Sequence, residues 1–230
     1  MASLLTDFSC PYNCSFCSIN TLGFKVRPIA SVIEEIKLLK KHNIDELFIR
    51  DQPFGADRNR TINLCQRIIQ ENFRLGWTCF SRVDIIKEDL IKIMKKSSLH
   101  TIIFGIESTN EDTLRDYNKN TSVDQMKKSI DLCRKNGVRA VGTFIIGLPR
   151  ESKESIKKTV RMAKELKLDY ASFNIAAPTF GSKFRADVIA KNLIDEDNIE
   201  MDTSKGTPIW KNNTLSNKEI SSAWALMPCR

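Results

Sequence analysis

No run of apolar residues in this 230-residue chain reaches the roughly 18 that a helix needs to cross a bilayer, which excludes a helical membrane span. Met1 to Leu5 is too short for a secretory signal, so a cytoplasmic protein is the expectation. Disulfides are rare in that compartment, and the seven cysteines are therefore expected as thiols. No internal repeat or low-complexity tract appears before residue 180. Nor do aromatic residues interleave with basic ones in the manner of an RNA-stacking surface. The formal net charge of +8 fits nucleic acid as one reading, but solvated helix faces are the favoured one. The lysines come mostly in pairs (Lys40 and Lys41, Lys95 and Lys96, Lys127 and Lys128, Lys157 and Lys158), with acidic residues between them, as at Glu154 four residues before Lys158.

At 41% apolar residues the chain can bury a core, and its length fits one domain. Apolar and β-branched runs alternate with helical patterns, the signature of βαβ units around a parallel sheet. Strands are expected at residues 2 to 8, 45 to 50, 76 to 81, 100 to 106, 139 to 146 and 170 to 175. Ser31 with Glu34 reads as a capping box ahead of Ile33, Ile36 and Leu39. Ser122 with Gln125 reads as a second, ahead of Met126, Ile130 and Cys133. Gly137 supplies a helix stop, and Ile156, Val160, Ala163 and Leu166 form the last core-facing stripe. After residue 182 the alternation is lost. One short helix near 185 to 192 and a weakly structured remainder are expected there, giving a core domain over 1–182 and a C-terminal extension over 183–230. The chain stops at Met227, Pro228, Cys229 and Arg230 without a terminating element, as a truncated longer protein would.

Cys10, Cys14 and Cys17 form a CxxxCxxC motif with no fourth ligand nearby, the next candidates being His42 and Cys65. A structural zinc or a ferredoxin-type cluster takes four cysteine or histidine ligands. Three alone suggest a cluster with one open iron, where a substrate or cofactor can bind. Cys65, Cys79, Cys133 and Cys229 are isolated in sequence and read as buried or incidental thiols. In parallel α/β folds the site lies at the carboxyl ends of the strands, and the unusual residues collect there. Asp51, Gln52, Pro53, Phe54 and Gly55 follow the second strand, and Ser81, Arg82 and Asp84 the third. Gly105, Ile106, Glu107 and Ser108 end the fourth; Gly147, Leu148 and Pro149 close the fifth; Asn174 and Pro178 mark the sixth. Glu107 would be costly if buried without a partner. Alternation puts it on the strand face of Gly105 and Ile103, assigned to the inside of the fold.

The cysteine spacing, with Phe16 just before the last cysteine, resembles the radical S-adenosylmethionine (radical SAM) superfamily. That resemblance implies an enzyme in which the three cysteines hold a [4Fe-4S] cluster whose fourth iron is chelated by S-adenosylmethionine. Reductive cleavage then yields a 5'-deoxyadenosyl radical that abstracts hydrogen from substrate, with an electron donor such as ferredoxin or flavodoxin as partner. It further implies that Phe16 flanks the adenine and that Asp51 and Gln52 orient the methionyl amino group. Ser81 and Arg82 would meet its carboxylate, and Glu107, in Phe-Gly-Ile-Glu-Ser with Ser108, the ribose hydroxyls. Asn174 falls at the corresponding end of the sixth strand. Gly-Thr-Phe-Ile-Ile-Gly-Leu-Pro at 142 to 149 resembles the fifth-strand motif beside the adenine, its proline ending the strand by removing a donor. Six strands are two short of a closed eight-stranded barrel. The expected fold is therefore α/β, a partial (β/α)6 open TIM-like barrel with a parallel sheet; a flat doubly wound sheet is the alternative.

Within the superfamily the motifs look most like the branch of cobalamin-dependent methyltransferases and the anaerobic magnesium-protoporphyrin cyclase. Members usually carry a cobalamin-binding domain ahead of the cysteines, and here Met1 lies nine residues before Cys10. Cobalamin is therefore expected only through a missing domain or a partner. A methylthiotransferase-like RNA-modifying enzyme is a second reading. A non-catalytic Fe-S or zinc-binding module is a third, and it requires a fourth protein ligand and no role for Glu107.

Overall fold

A computed structural model describes residues 1–149, 151–203, 206–212 and 214–225. The chain opens with three short strands, β1 (Ala2–Leu4), β2 (Asp7–Phe8) and β3 (Lys25–Val26), then α1 (Ile29–Lys41), β4 (Glu46–Ile49) and α2 (Arg58–Gln70). Next come β5 (Gly76–Ser81), α3 (Glu88–Lys96), β6 (Leu99–Glu107), α4 (Glu111–Asp116), α5 (Val123–Lys135) and β7 (Arg139–Ile146). The last elements are α6 (Lys153–Glu165), β8 (Tyr170–Ile175), α7 (Lys183–Ala190) and α8 (Asn217–Ala225).

Six strands form one parallel sheet in the order β1-β4-β5-β6-β7-β8. Each strand joins beside its predecessor and the order never reverses. A doubly wound sheet needs a reversal, the switch point at which such folds bind ligands; its absence selects the open-barrel topology. The fifth and sixth of the expected strands appear with the expected bounds; in β7 buried residues alternate cleanly with more exposed ones. The first does not. β1 stops at Leu4, and Asp7–Phe8 pairs instead with Lys25–Val26 as an antiparallel ribbon. The chain between the two ribbon strands carries all three motif cysteines.

The chain forms two compact units. One comprises residues 1–11, 22–105 and 124–141; the other comprises 12–21, 106–123 and 142–230. In the first, Val32, Ile33 and Ile36 of α1, Leu64 of α2 and Leu90, Ile91 and Met94 of α3 are buried, as are Leu47, Ile49 and Trp77 of the strands. In the second, Phe184, Val188, Leu193, Ile194, Trp210, Leu148 and Ala176 make one apolar cluster. Ile146, Ile156, Ile175, Leu215 and Ile220 make another.

Several local signals work differently from the sequence expectation. α1 begins at Ile29 behind Pro28, whose φ of −55° and ψ of 133° set the entry, so Ser31 lies inside the first turn and is no cap. A capping box forms at α6, where Ser152 and Ser155 bond each other's backbone. β7 ends at Ile146, ahead of Gly147 at φ +80°, so the glycine and not Pro149 turns the chain. The helix expected near 185 to 192 is α7, two residues earlier, where Ser182 accepts from the Arg185 N–H. The remainder is more ordered than composition suggests. It holds α8 and buries Trp210, Leu215 and Ile220. The final Met227 to Arg230, with Cys229, lies outside the described residues.

Candidate functional site

In the first unit the base of the cysteine loop is held by one carboxylate. Asp51, just past β4 and 1% exposed, accepts at Oδ1 from the Thr6 N–H (2.6 Å) and the Asp7 N–H (3.2 Å), and at Oδ2 from the Thr6 hydroxyl. Arg60 of α2 donates to the Thr6 carbonyl at 2.7 Å and the Arg27 carbonyl at 2.8 Å. These bonds claim the Thr6 and Asp7 groups that a longer β1 would have offered to β4, which is why the strand breaks. Ser9 then turns the chain at φ +69° directly ahead of Cys10. Burial raises the Asp51 carboxyl above its usual value, against the pull of its Thr6 and Asp7 donors. Asp7 is pushed up to about 7, mostly by burial and then by the neighbouring Asp51 charge, with Arg60 opposing. Its Oδ1 is buried and has no hydrogen-bond partner among the described residues.

Other expected residues of this unit are also engaged by the protein. The Ser81 hydroxyl, at the end of β5, donates to the Phe54 carbonyl at 2.8 Å. Arg82 grips Asp84 through Nε and Nη2, both at 2.9 Å. Gln52 is exposed beside the buried Asp51. The structure thus gives Asp51 to the loop base and leaves Gln52 facing solvent.

In the second unit the Cys17 N–H donates to the Cys14 carbonyl at 3.0 Å, closing a tight turn between the two thiols. The loop is pinned on both sides of Cys14. Asn118 Nδ2 donates to the Asn13 carbonyl (2.9 Å), the Ser15 N–H to the Tyr117 carbonyl (2.9 Å), and the Phe184 N–H of α7 to the Ser15 carbonyl (2.8 Å). Phe16 packs at 6.3 Å from the Tyr117 ring and leans on the cluster around Phe184 and Trp210.

Glu107 closes β6 at φ +65°, a conformation that costs a residue with a side chain on the order of 1–3 kcal/mol. Ile102, Phe104 and Ile106 are wholly buried, so Ile103, Gly105 and Glu107 lie on the more open strand face. The carboxylate does meet a partner. Glu107 Oε1 accepts from Lys119 Nζ at 3.1 Å, with side chains 13% and 7% exposed. The helix that follows, α4, is capped by Asn110, which accepts from the Asp112 and Thr113 N–H groups. Ser108 is fully buried and accepts from the Asn110 N–H, whereas Asn174 of β8 is exposed.

Sequence reading missed Thr6, Arg60, Asn118 and Lys119. The only local hint was the polar Asn-Lys-Asn run at 118 to 120, where both asparagines adopt positive φ.

The donor set of the loop fits a cluster that takes three protein ligands. Cys10, Cys14 and Cys17 are thiols outside any disulfide, and a thiolate is the ligand such clusters use. Among the described residues no three His, Cys, Asp or Glu side chains are already gathered as a metal site. Cys65, Cys79 and Cys133 are buried thiols; burial pushes the Cys65 thiol up to about 11 and also raises the Cys79 thiol well above its usual value.

Among known proteins, the chain is 35% identical over 226 residues to an uncharacterized methyltransferase of Pyrococcus horikoshii, covering 95% of this chain and 48% of the relative. It is 31% identical over 176 residues to an anaerobic magnesium-protoporphyrin IX monomethyl ester cyclase of Cereibacter sphaeroides, covering 74% of this chain and 29% of the relative. The chain thus spans half the length or less of these curated relatives. In fold it matches the radical SAM methyltransferase TsrM of Kitasatospora setae with a TM-score of 0.78 at 17% identity, over 97% of this chain and 46% of that one. No described helix is long and apolar enough to cross a membrane. The family model for the radical SAM superfamily matches residues 8–163, from the ribbon through the cysteine loop to α6. This chain therefore belongs to the radical SAM superfamily, whose members use a [4Fe-4S] cluster, S-adenosylmethionine and an electron donor.

Proposed function

We propose that this chain is the core of a radical SAM enzyme acting in a methyltransferase- or cyclase-type reaction. The observation that carries the reading is the chain between β2 and β3, which brings Cys10, Cys14 and Cys17, none of them in a disulfide, within one short loop at CxxxCxxC spacing. When bound, the cluster supplies the electron that splits S-adenosylmethionine to a 5'-deoxyadenosyl radical, which takes hydrogen from substrate.

The chain's own residues bind and orient. Cys10, Cys14 and Cys17 hold three irons. Asp51 and Arg60 fix the loop base through Thr6, while the exposed Gln52 is the side chain offered to the methionyl amino group. Glu107 takes the ribose hydroxyls, for which a carboxylate is a suitable paired acceptor. Phe16 lies against the adenine. Ser81 and Arg82 contribute at the methionyl carboxylate through whatever donor capacity their bonds to Phe54 and Asp84 leave. Ser108, next to Glu107 in the chain, and Asn174, at the end of the sixth sheet strand, complete the cofactor-binding set.

Residues 1–182 form the radical SAM core and 183–230 a C-terminal extension. The electron donor is a ferredoxin or flavodoxin of the cytoplasm. Cobalamin, where the reaction needs it, comes from a further domain or a partner. The methyltransferase and cyclase names of the relatives favour this over methylthiolation. The test is anaerobic reconstitution followed by reduction with S-adenosylmethionine present. One [4Fe-4S] cluster and formation of 5'-deoxyadenosine are expected; four-coordinate zinc, or a cluster with no cleavage, overturns the reading.

A further inference from the structure

The second unit contains a three-residue segment that touches both halves of the proposed cofactor site. Tyr117, Asn118 and Lys119 follow α4. The turn is built by backbone bonds, from the Tyr117 N–H to the Thr113 carbonyl (3.1 Å), Asn118 to Arg115 (2.9 Å) and Lys119 to Leu114 (2.8 Å). Asn118 and Asn120 sit at φ +55° and +52°, and Asn120 Nδ2 donates to Asn118 Oδ1 at 2.8 Å. Asparagine tolerates that region better than most residues, so the sequence suits the geometry. The turn aims its groups two ways. Tyr117 and Asn118 reach the cysteine loop on either side of Cys14, through the Ser15 N–H and the Asn13 carbonyl. Lys119 reaches the Glu107 carboxylate at 3.1 Å.

The Glu107 carboxylate, 13% exposed, and the Lys119 ammonium, 7% exposed, hold each other in place, since each is a hydrogen-bonding partner for a group largely removed from water. Only Oε1 takes the lysine. Among the described residues no hydrogen bond is made to Oε2, which leaves that oxygen for a ligand hydroxyl. Lys119 has no such role in any motif read from the sequence.

Resting on the radical SAM reading above, we propose that Tyr117–Asn118–Lys119 is a positioning clasp that couples the cysteine loop to Glu107. Lys119 is a positioning residue: it holds one carboxylate oxygen so that the other meets the ribose. Asn118 and Tyr117 hold the loop on which Cys14 and Cys17 lie. Because one rigid turn makes both contacts, cluster geometry and S-adenosylmethionine affinity depend on each other, and the coupling is reciprocal.

The experiment uses anaerobically reconstituted protein and S-adenosylmethionine as probe. Affinity is read by calorimetry and the cluster by its iron content and by electron paramagnetic resonance after reduction. Glu107→Gln and Lys119→Met should each weaken binding roughly ten- to a hundredfold with iron content kept, since each removes a charged hydrogen-bonding partner. Lys119→Arg should restore most of it. The double variant should lose little more than either single one, the mark of residues acting as a pair. Asn118→Ala should speed hydrogen exchange at the Ser15 amide in cluster-free protein and shift the resonance of the reduced cluster. Wild-type affinity in Lys119→Met, or additive losses in the double variant, overturns the clasp. If wild-type protein binds no cluster or Glu107→Gln binds normally, the underlying reading of the site fails instead.

Discussion

Asp7→Asn should stabilise the protein above neutral pH and lose that advantage in acid. Asp7 is 5% exposed, and its Oδ1 finds no donor among the described residues. Burial, and after it the Asp51 charge, lift its pKa from 3.8 to about 7 against the pull of Arg60. Between those values the folded chain holds a proton that the unfolded chain releases. The stability this group contributes is therefore complete below the unfolded value and declines as pH rises through about 7. A gap of about three units, at about 1.36 kcal/mol each, makes about 4 kcal/mol the ceiling of the penalty near pH 8. Asparagine never ionises, has nearly the same shape, and brings an NH2 that can donate to the Asp51 carboxylate. The assay is urea unfolding of cluster-free protein under reducing conditions from about pH 4.5 to pH 8, followed by tryptophan fluorescence. The variant should match the wild type at the acid end and gain roughly 2–4 kcal/mol at the basic end, most of it appearing between pH 5 and pH 7. A difference that does not change with pH, or an asparagine variant less stable near pH 8, would refute the reasoning.

Alanine at any one of Cys10, Cys14 or Cys17 should abolish the iron-sulfur absorbance after anaerobic reconstitution, whereas Cys133→Ala should keep it at a cost of about 1 kcal/mol in unfolding free energy. Gly147→Ala should lower stability by about 1–2 kcal/mol in a thermal melt. Its φ is +80°, and an added Cβ would meet Ile220 carbons at 3.2 Å. Trp210→Ala should cost about 3–5 kcal/mol in urea unfolding, because it empties the centre of the second unit's apolar cluster and removes the bond from Nε1 to the Ala176 carbonyl.

The parts of the fold legible in advance are those governed by short-range pattern. Apolar alternation located β5, β7 and β8 to the residue, and the periodicity of α5 ended where Gly137, at φ +62°, was expected to stop it. The first strand failed because a side chain 45 residues away, Asp51, takes the Thr6 N–H and hydroxyl. No local window contains that competition. Ser31 and Glu34 failed as a cap for a related reason: Pro28 pre-sets the helix entry, and the Ser31 hydroxyl instead accepts from Arg27. α8 was invisible because Asn217–Ala225 is weakly amphipathic as sequence. It is held by tertiary contacts, such as the bond from Trp224 Nε1 to the Phe173 carbonyl and the burial of Ile220.

The candidate site divides along the same line. The sequence alone determined its chemistry: three thiols at CxxxCxxC spacing with no fourth ligand, and a glutamate at a strand end that could not be buried without a partner. It also determined the six-strand count. Only the tertiary structure decided the strand order, and with it the choice of an open barrel over a doubly wound sheet, because hydrogen bonding between strands is set by which strands pack together. Only the structure named Lys119 as the partner of Glu107 and assigned Asp51 to the base of the cysteine loop. Residue type and spacing specify which bonds a group needs, whereas the group that supplies them is fixed by packing between segments far apart in the chain.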